Sequence, residues 1–298
     1  MIIARELARR GHDVAICARN EHELARAAQW IRDGLDVRVH TGVCDITDDR
    51  RVREFVAETE SVLGPLDVVI SVAGSIQVGP LEAMTRDHLD DAINTMLWGP
   101  INVSLAAVEG MRERGRGRIG VITSIGARIS PPRLLPYSTA KFGAIGFTEG
   151  LAAELAGTGV TATAVVPWLM RTGSHLNATF FGAEDKQFSW FGPAASLPLL
   201  SQDAERAARW MVGAVLRGKP VANTSVFSAL ISRVHGLAPS TTVHLMRLVS
   251  RFLPRGTSSE TVTGSQARER MSNRRVVDFL TKLGARAAVR FNQTNPSA

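Results

Sequence analysis

Residues 118–141 read RIGVITSIGARISPPRLLPYSTAK. The first seven form a near-continuous apolar run ending at Ser124, the pattern of a strand buried on both faces. Pro136 then opens a helix, because its fixed φ suits the first turn and its missing N–H costs nothing there. The helical pattern runs to Ala156 and stops at Gly157. The same alternation extends outward in both directions. HDVAIC (12–17), VRVHTGVC (37–44), LDVVISV (66–72) and TATAVV (161–166, ended by Pro167) read as strands, with a last one at 220–226. Helical patterns precede Gly11 and cover 48–63, 87–114 and 203–216. Short strands alternating with helices predict an α/β fold, a doubly wound parallel sheet with helices on both faces.

The composition agrees. The chain has 298 residues, 45% hydrophobic and 21% charged, enough for a sizeable core. No apolar run is long enough to span a bilayer, and the start, MIIARELARRG, lacks the pattern of a secretory signal. Cys17 and Cys44 have no metal-ligand spacing and read as small buried hydrophobes, so a reducing cytoplasmic location is expected. His22-Glu23 has no second histidine at helical spacing, and no metal is expected. Residues 1–200 hold 20 Lys and Arg against 23 Asp and Glu, whereas 201–298 hold 15 against 5. The basic character therefore belongs to the C-terminal third. Arg112, Arg114, Arg116 and Arg118 flank a glycine turn without interleaved aromatics, so no nucleic-acid partner is expected.

Chemistry enters at Tyr137-Ser-Thr-Ala-Lys141. Positions i and i+4 share a helix face, which makes the phenol and the ammonium neighbours. Tyr137 is the only tyrosine of the chain, and Lys141 is one of four lysines against 31 arginines. A lysine can shift its pKa and join a proton relay, which arginine cannot. A nearby ammonium favours the phenolate, bringing the phenol toward the range of a general acid or base. Ser124 lies at the carboxyl end of its predicted strand, where ligands of parallel α/β sheets bind, and its hydroxyl can donate to a substrate oxygen. Asn94, in the long helix before that strand, is a further candidate.

With these residues in place the chain resembles the short-chain dehydrogenase/reductase family over residues 1 to about 226. The matching positions are Asn94, Ser124, Tyr137 and Lys141, then Ala73-Gly74, Asp45-Ile46, and Pro167 followed by Thr172. The resemblance implies a Rossmann-like fold and hydride transfer between a nicotinamide cofactor and a carbonyl or alcohol carbon. It implies that Tyr137 is the acid/base and that Lys141 lowers its pKa and holds the nicotinamide ribose. Ser124 would orient the substrate oxygen, and Asn94 would anchor a relay water. Asp45, Ile46, Ala73, Gly74, Pro167 and Thr172 would line the cofactor, in a homodimer or homotetramer. In the family a first strand and a Gly-rich phosphate loop precede the helix at residues 2–10. The chain opens on that helix, so an N-terminally truncated sheet is expected, in which the gap between the strands at 14–18 and 66–72 either closes by direct pairing or stays open. The Asn-Asn-Ala-Gly pattern is Ser71-Val72-Ala73-Gly74 here, and Trp168 follows Pro167 where glycine is usual.

Cofactor choice falls to Ala18-Arg19-Asn20. An acidic residue at the end of the second strand would accept from a ribose hydroxyl, whereas Arg19 suits a 2′-phosphate, so NADP is expected over NAD. Residues 168–200, rich in aromatics, are expected to be a substrate lid for a small apolar carbonyl or alcohol substrate. Residues 227–298 read as a basic, helical C-terminal extension with a flexible polar stretch at 255–272. Within it, 242–254 is a basic amphipathic helix suited to packing or to peripheral membrane contact. A non-catalytic binding or scaffold protein of the same fold is the alternative reading.

Overall fold

The computed structural model describes residues 1–271 and 274–293. Residues 272, 273 and 294–298 of the expected tail lie outside that description. In chain order the first half holds α1 (Ile2–Ala8), β1 (Val14–Ala18), α2 (Glu21–Arg32), β2 (Val39–Val43), α3 (Asp49–Leu63), β3 (Val68–Ser71), β4 (Gln77–Val78) and α4 (Arg86–Ile93). A π-helical turn at Asn94–Trp98 leads into α5 (Gly99–Glu113), then β5 (Gly117–Ile122), α6 (Leu135–Glu154) and β6 (Val160–Val166). The second half holds β7 (Met170–Arg171), β8 (Thr179–Phe180), α7 (Glu184–Ser196), β9 (Gln202–Asp203), α8 (Ala204–Leu216) and β10 (Val221–Asn223). It ends with α9 (Val226–Leu237), α10 (Pro239–Ser250), β11 (Val262–Thr263), α11 (Gly264–Glu269) and α12 (Arg274–Arg290).

Local chemistry explains the boundaries. Asn20, Asp48 and Asp203 each accept from a backbone N–H in the first turn of α2, α3 and α8, filling the unpaired donors of a helix start. Gly64, at φ +93, ends α3 in a conformation that a side chain would strain. Pro136 sits in the first turn of α6.

A four-stranded parallel sheet runs β10-β6-β5-β3, with Ser71 in register with Val121. On one face α1 and α8 bury Ile3, Met211, Val212 and Val215 against Ile122 and Val165. On the other, α5 and α6 pack Met111 and Leu155 against Ile119 and Val160. Helices thus cover both faces, and the Rossmann-like architecture read from the sequence is present.

The sheet is divided. Among the described residues β1 and β2 pair only with each other, in parallel, as a two-stranded sheet. A cavity of about 630 Å³ lies between β1 and β3, lined by both strands and by Phe291, Asn292 and Gln293. The gap expected between these strands has stayed open rather than closed by direct pairing. Cys17 is only half-buried at this cavity, while Cys44 is buried.

The C-terminal region corrects one expectation. Part of the polar stretch expected to be flexible is ordered: Val262 pairs with Phe180 in β8, and Ala267 of α11 is fully buried. α12 buries Val277 and Ala288 in one cluster with Phe180, Phe188 and Phe191 of the 168–200 segment. The long helix expected at 87–114 is interrupted by the π-turn, which rotates the positions after residue 93. Arg114 and Arg116 of the glycine turn are engaged locally, Arg114 donating to the Leu66 carbonyl at 2.9 Å and Arg116 pairing with Asp67 at 3.3 Å. Among the described residues no helix is long and apolar enough to cross a membrane.

Candidate active site

Ser124, Tyr137 and Lys141 converge at the carboxyl ends of β3 and β5. Ser124 lies two residues beyond β5, and its hydroxyl accepts from the Gly126 N–H at 3.0 Å, which fixes its direction. That hydroxyl faces Tyr137 and favours the phenolate. Gly126 brings the two side chains close: a Cβ there would lie 3.0 Å from a Tyr137 ring carbon and 3.5 Å from Ser124 Oγ. One turn along α6, Lys141 is buried and donates from Nζ to the Ile122 carbonyl at 2.9 Å. Its Nζ lies 6.0 Å from the Tyr137 ring centroid, so the i, i+4 relation read from the sequence holds.

The electrostatics differ from the sequence expectation. The ammonium was expected to draw the phenol pKa down. Instead burial pushes the Tyr137 hydroxyl up, with Ser124 pulling it partly back. Burial also lowers Lys141, to about 8. Both shifts have one cause: each charged form loses its water in a site walled by protein. Lys141 engages a neutral carbonyl and not the phenol oxygen, so the desolvation cost outweighs attraction between the pair.

Ala73 and Gly74, after β3, are exposed at the open side of this cluster. A Cβ on Gly74 would lie 3.7 Å from Lys141 Nζ and 3.4 Å from Met96 Sδ, so the glycine keeps this approach clear. Asn94 does not join the site. It is exposed, at the first position of the π-turn. Met96, two residues on, is fully buried and packs with Ala92, Ala140 and Tyr137. Met96 lies four residues after buried Ala92, on the same helix face, and sequence reasoning missed it because its side chain carries no polar chemistry.

The remaining positions lie at other edges. Arg19 and Asp45 follow β1 and β2 and form an exposed ion pair at 3.9 Å. Thr47 donates to Asp45 from both its N–H and its hydroxyl, which, with Arg19 nearby, holds the Asp45 carboxyl below its ordinary range. Asn20 is occupied as the cap of α2, where it accepts from the Glu23 N–H. Ile46 packs against Gly99, and its carbonyl accepts from Asn102 at 3.0 Å. Pro167 accepts from the Ile125 N–H at 2.9 Å, joining the end of β6 to the turn after Ser124. Thr172 donates to Ser174 at 3.0 Å and serves a local turn. Trp168 is held by its indole N–H on the Leu200 carbonyl at 2.8 Å, with its ring 6.4 Å from that of Phe227.

Comparison with known proteins places this geometry in a family. The family model described as short chain dehydrogenase matches residues 1–179. An acetoacetyl-CoA reductase of Allochromatium vinosum is 36% identical over 167 residues, 55% of this chain and 65% of that one. A gluconate 5-dehydrogenase of Gluconobacter oxydans is 31% identical over 173 residues, 58% and 67% of the two chains. The chain thus spans about two thirds of the length of the curated relatives it matches, and slightly less for several. Among solved structures, a short-chain dehydrogenase from Streptomyces avermitilis is similar with a TM-score of 0.68 at 25% identity, covering 84% of this chain and 93% of that one. A gluconate 5-dehydrogenase from Burkholderia cenocepacia, solved with NADP and tartrate, gives 0.60 at 25% identity, covering 74% and 86%. The strand-bounded cluster of Ser124, Tyr137 and Lys141 and the extent of these matches lead to one assignment: the chain belongs to the short-chain dehydrogenase family.

Proposed function

We propose that the protein is an NADP-dependent oxidoreductase that reduces a carbonyl, or oxidises the corresponding alcohol, on an apolar substrate. The observation that carries this reading is the convergence of Ser124, Tyr137 and Lys141 at the carboxyl ends of β3 and β5. The cofactor supplies or accepts the hydride. The residues present fit its two ends. Lys141 has three N–H donors and one protein acceptor, so donors remain for a ribose hydroxyl beside the open approach at Gly74. Arg19 is 81% exposed and, among the described residues, is held by one long ion pair, which leaves its guanidinium open to a 2′-phosphate.

At neutral pH burial keeps Tyr137 protonated. That is the state a general acid needs for carbonyl reduction. Tyr137 donates its proton to the substrate oxygen, and Ser124 orients that oxygen by donating to it. Lys141, tied to the end of β5, holds the phenol and the ribose side of the site in register. The aromatic 168–200 segment supports an apolar substrate, and the acetoacetyl-CoA reductase likeness supports a ketone carried on an acyl chain. Exposed Leu105 on α5 and Trp98 before it support a homodimer or homotetramer. The test is NADPH consumption against a panel of lipophilic ketones, acyl-linked ketones and small charged ketones. Turnover of the first two groups supports the reading. Turnover confined to small charged ketones, or none with any substrate despite cofactor binding, overturns it.

A further inference from the structure

The helical hairpin α9–α10 is built inside out. In α9 the only buried residue is Ser228, and in α10 it is Thr242. The polar groups turn inward and satisfy one another: Ser228 caps with Ser225, Ser232 bonds to Asn223, and His235 meets Thr242 across the hairpin at 2.6 Å. The large apolar side chains turn outward. Val226 is 84% exposed and Leu237 88%, with Leu230 between them at helical spacing on the same face. On α10, Leu245, Leu248 and the following Phe252 repeat the pattern. Large apolar side chains exposed in this number on one hairpin mark a contact face.

The charge around it selects the partner. Between Glu205 and Glu260 the chain contains no acidic residue and eight basic ones, with Arg233, Arg247 and Arg251 on the hairpin itself. A two-fold contact between copies would set this basic face against itself. An anionic lipid surface meets both halves of the pattern: acyl chains take the apolar side chains, and headgroups pair with the arginines. The hairpin is also fixed to the body of the protein. Arg133 donates to the Pro254 carbonyl at 2.9 Å, and Phe142, next to Lys141 on α6, stacks edge-on to His235 at 6.3 Å.

We propose that the α9–α10 hairpin is a membrane-interface anchor that lies flat on anionic phospholipid. The proposal is independent of turnover and is tested without it. The full chain is sedimented with phosphatidylcholine vesicles and with vesicles containing about one third phosphatidylglycerol, at low and high salt. Three proteins are compared: the unaltered chain, Leu230→Gln with Leu248→Gln, and Arg247→Glu with Arg251→Glu. All four positions are exposed, and a melting curve checks that each variant is folded. Binding to the anionic vesicles that weakens with salt, and falls on the order of tenfold or more in each variant, is expected. Equal binding to neutral vesicles, no binding to either, or full binding by the arginine variant overturns the proposal. So does a dimer, seen by light scattering, that the leucine variant abolishes while vesicles are never bound.

Discussion

Lys141 reaches from α6 to the Ile122 carbonyl at the end of β5, and this 2.9 Å bond joins the helix that carries Tyr137 to the strand that delivers Ser124. The three site residues are therefore parts of one rigid junction. Its removal has separable effects on chemistry and on structure.

Tyr137→Phe keeps the ring and its packing against Met96 and removes only the acid/base. Folding is expected to be unchanged, and turnover to fall by roughly 10²–10⁴-fold. Melting temperature and NADPH consumption, measured together, check this; near-normal turnover would remove Tyr137 from its role.

Asn94 and Met96 should exchange the importance that the sequence assigns them. Asn94→Ala, at an exposed position, is expected to change stability and turnover little. Met96→Ala empties a buried site beside Tyr137 and Gly74 and should cost about 2–5 kcal/mol. Denaturant titration of both variants decides the matter.

Arg19→Asp is expected to weaken NADPH binding by about tenfold or more, through loss of a charge-assisted contact to the 2′-phosphate, and to leave NADH binding little changed. The carboxylate would also face Asp45, its present partner at 3.9 Å. Fluorescence titration with both cofactors reads the effect, and unchanged NADPH affinity would show that another residue holds the phosphate.

His175 is fully buried beside Phe188, and neither ring nitrogen has a hydrogen-bond partner among the described residues. Burial, with Arg268 nearby, lowers its pKa to about 4. In the unfolded chain it titrates near 6.5. The unfolded state therefore binds the extra proton first as the pH falls, and stability is lost progressively between about 6.5 and 4. The full loss is on the order of 3 kcal/mol. His175→Asn should flatten this part of the stability profile; an unchanged slope would assign the acid sensitivity elsewhere.

Much of this was legible in the sequence. The strand cores and the Tyr137–Lys141 spacing depend on neighbours within a few residues, so periodicity reveals them. The π-turn is different, since one extra residue in a single turn shifts every later side chain and leaves no compositional mark. β11 and α11 were hidden for another reason. Val262 and Ala267 are ordinary residues in a polar stretch, ordered by contact with β8 and the aromatic segment some 80 residues earlier. The buried Ser228 and Thr242 of the hairpin are likewise visible only once the tertiary contacts are known.

The opening between β1 and β3 makes a further prediction. Its two edges carry facing backbone donors and acceptors, an arrangement that accepts a strand. A version of the chain extended upstream by about 20–30 residues, one strand and a glycine turn, should melt several degrees higher and bind NADPH more tightly. Equal melting temperature and affinity in the two versions would show that the opening is not a strand site.

The end of the chain gives that opening a different significance. Arg290 pairs with Glu205 on α8, while Asn292 accepts from Arg26 at 2.8 Å and reaches the Glu23 carbonyl on α2. Three consecutive residues thus span the two half-sheets where no backbone ladder does, with Phe291 buried between them. Among the described residues, the half that carries Arg19 and the half that carries Tyr137 are joined by side-chain contacts alone: the C-terminal clasp, α1, and α3 and Ile46 against α5. Amide exchange is expected to report two opening free energies, and releasing the clasp is expected to widen the difference between them without unfolding either unit.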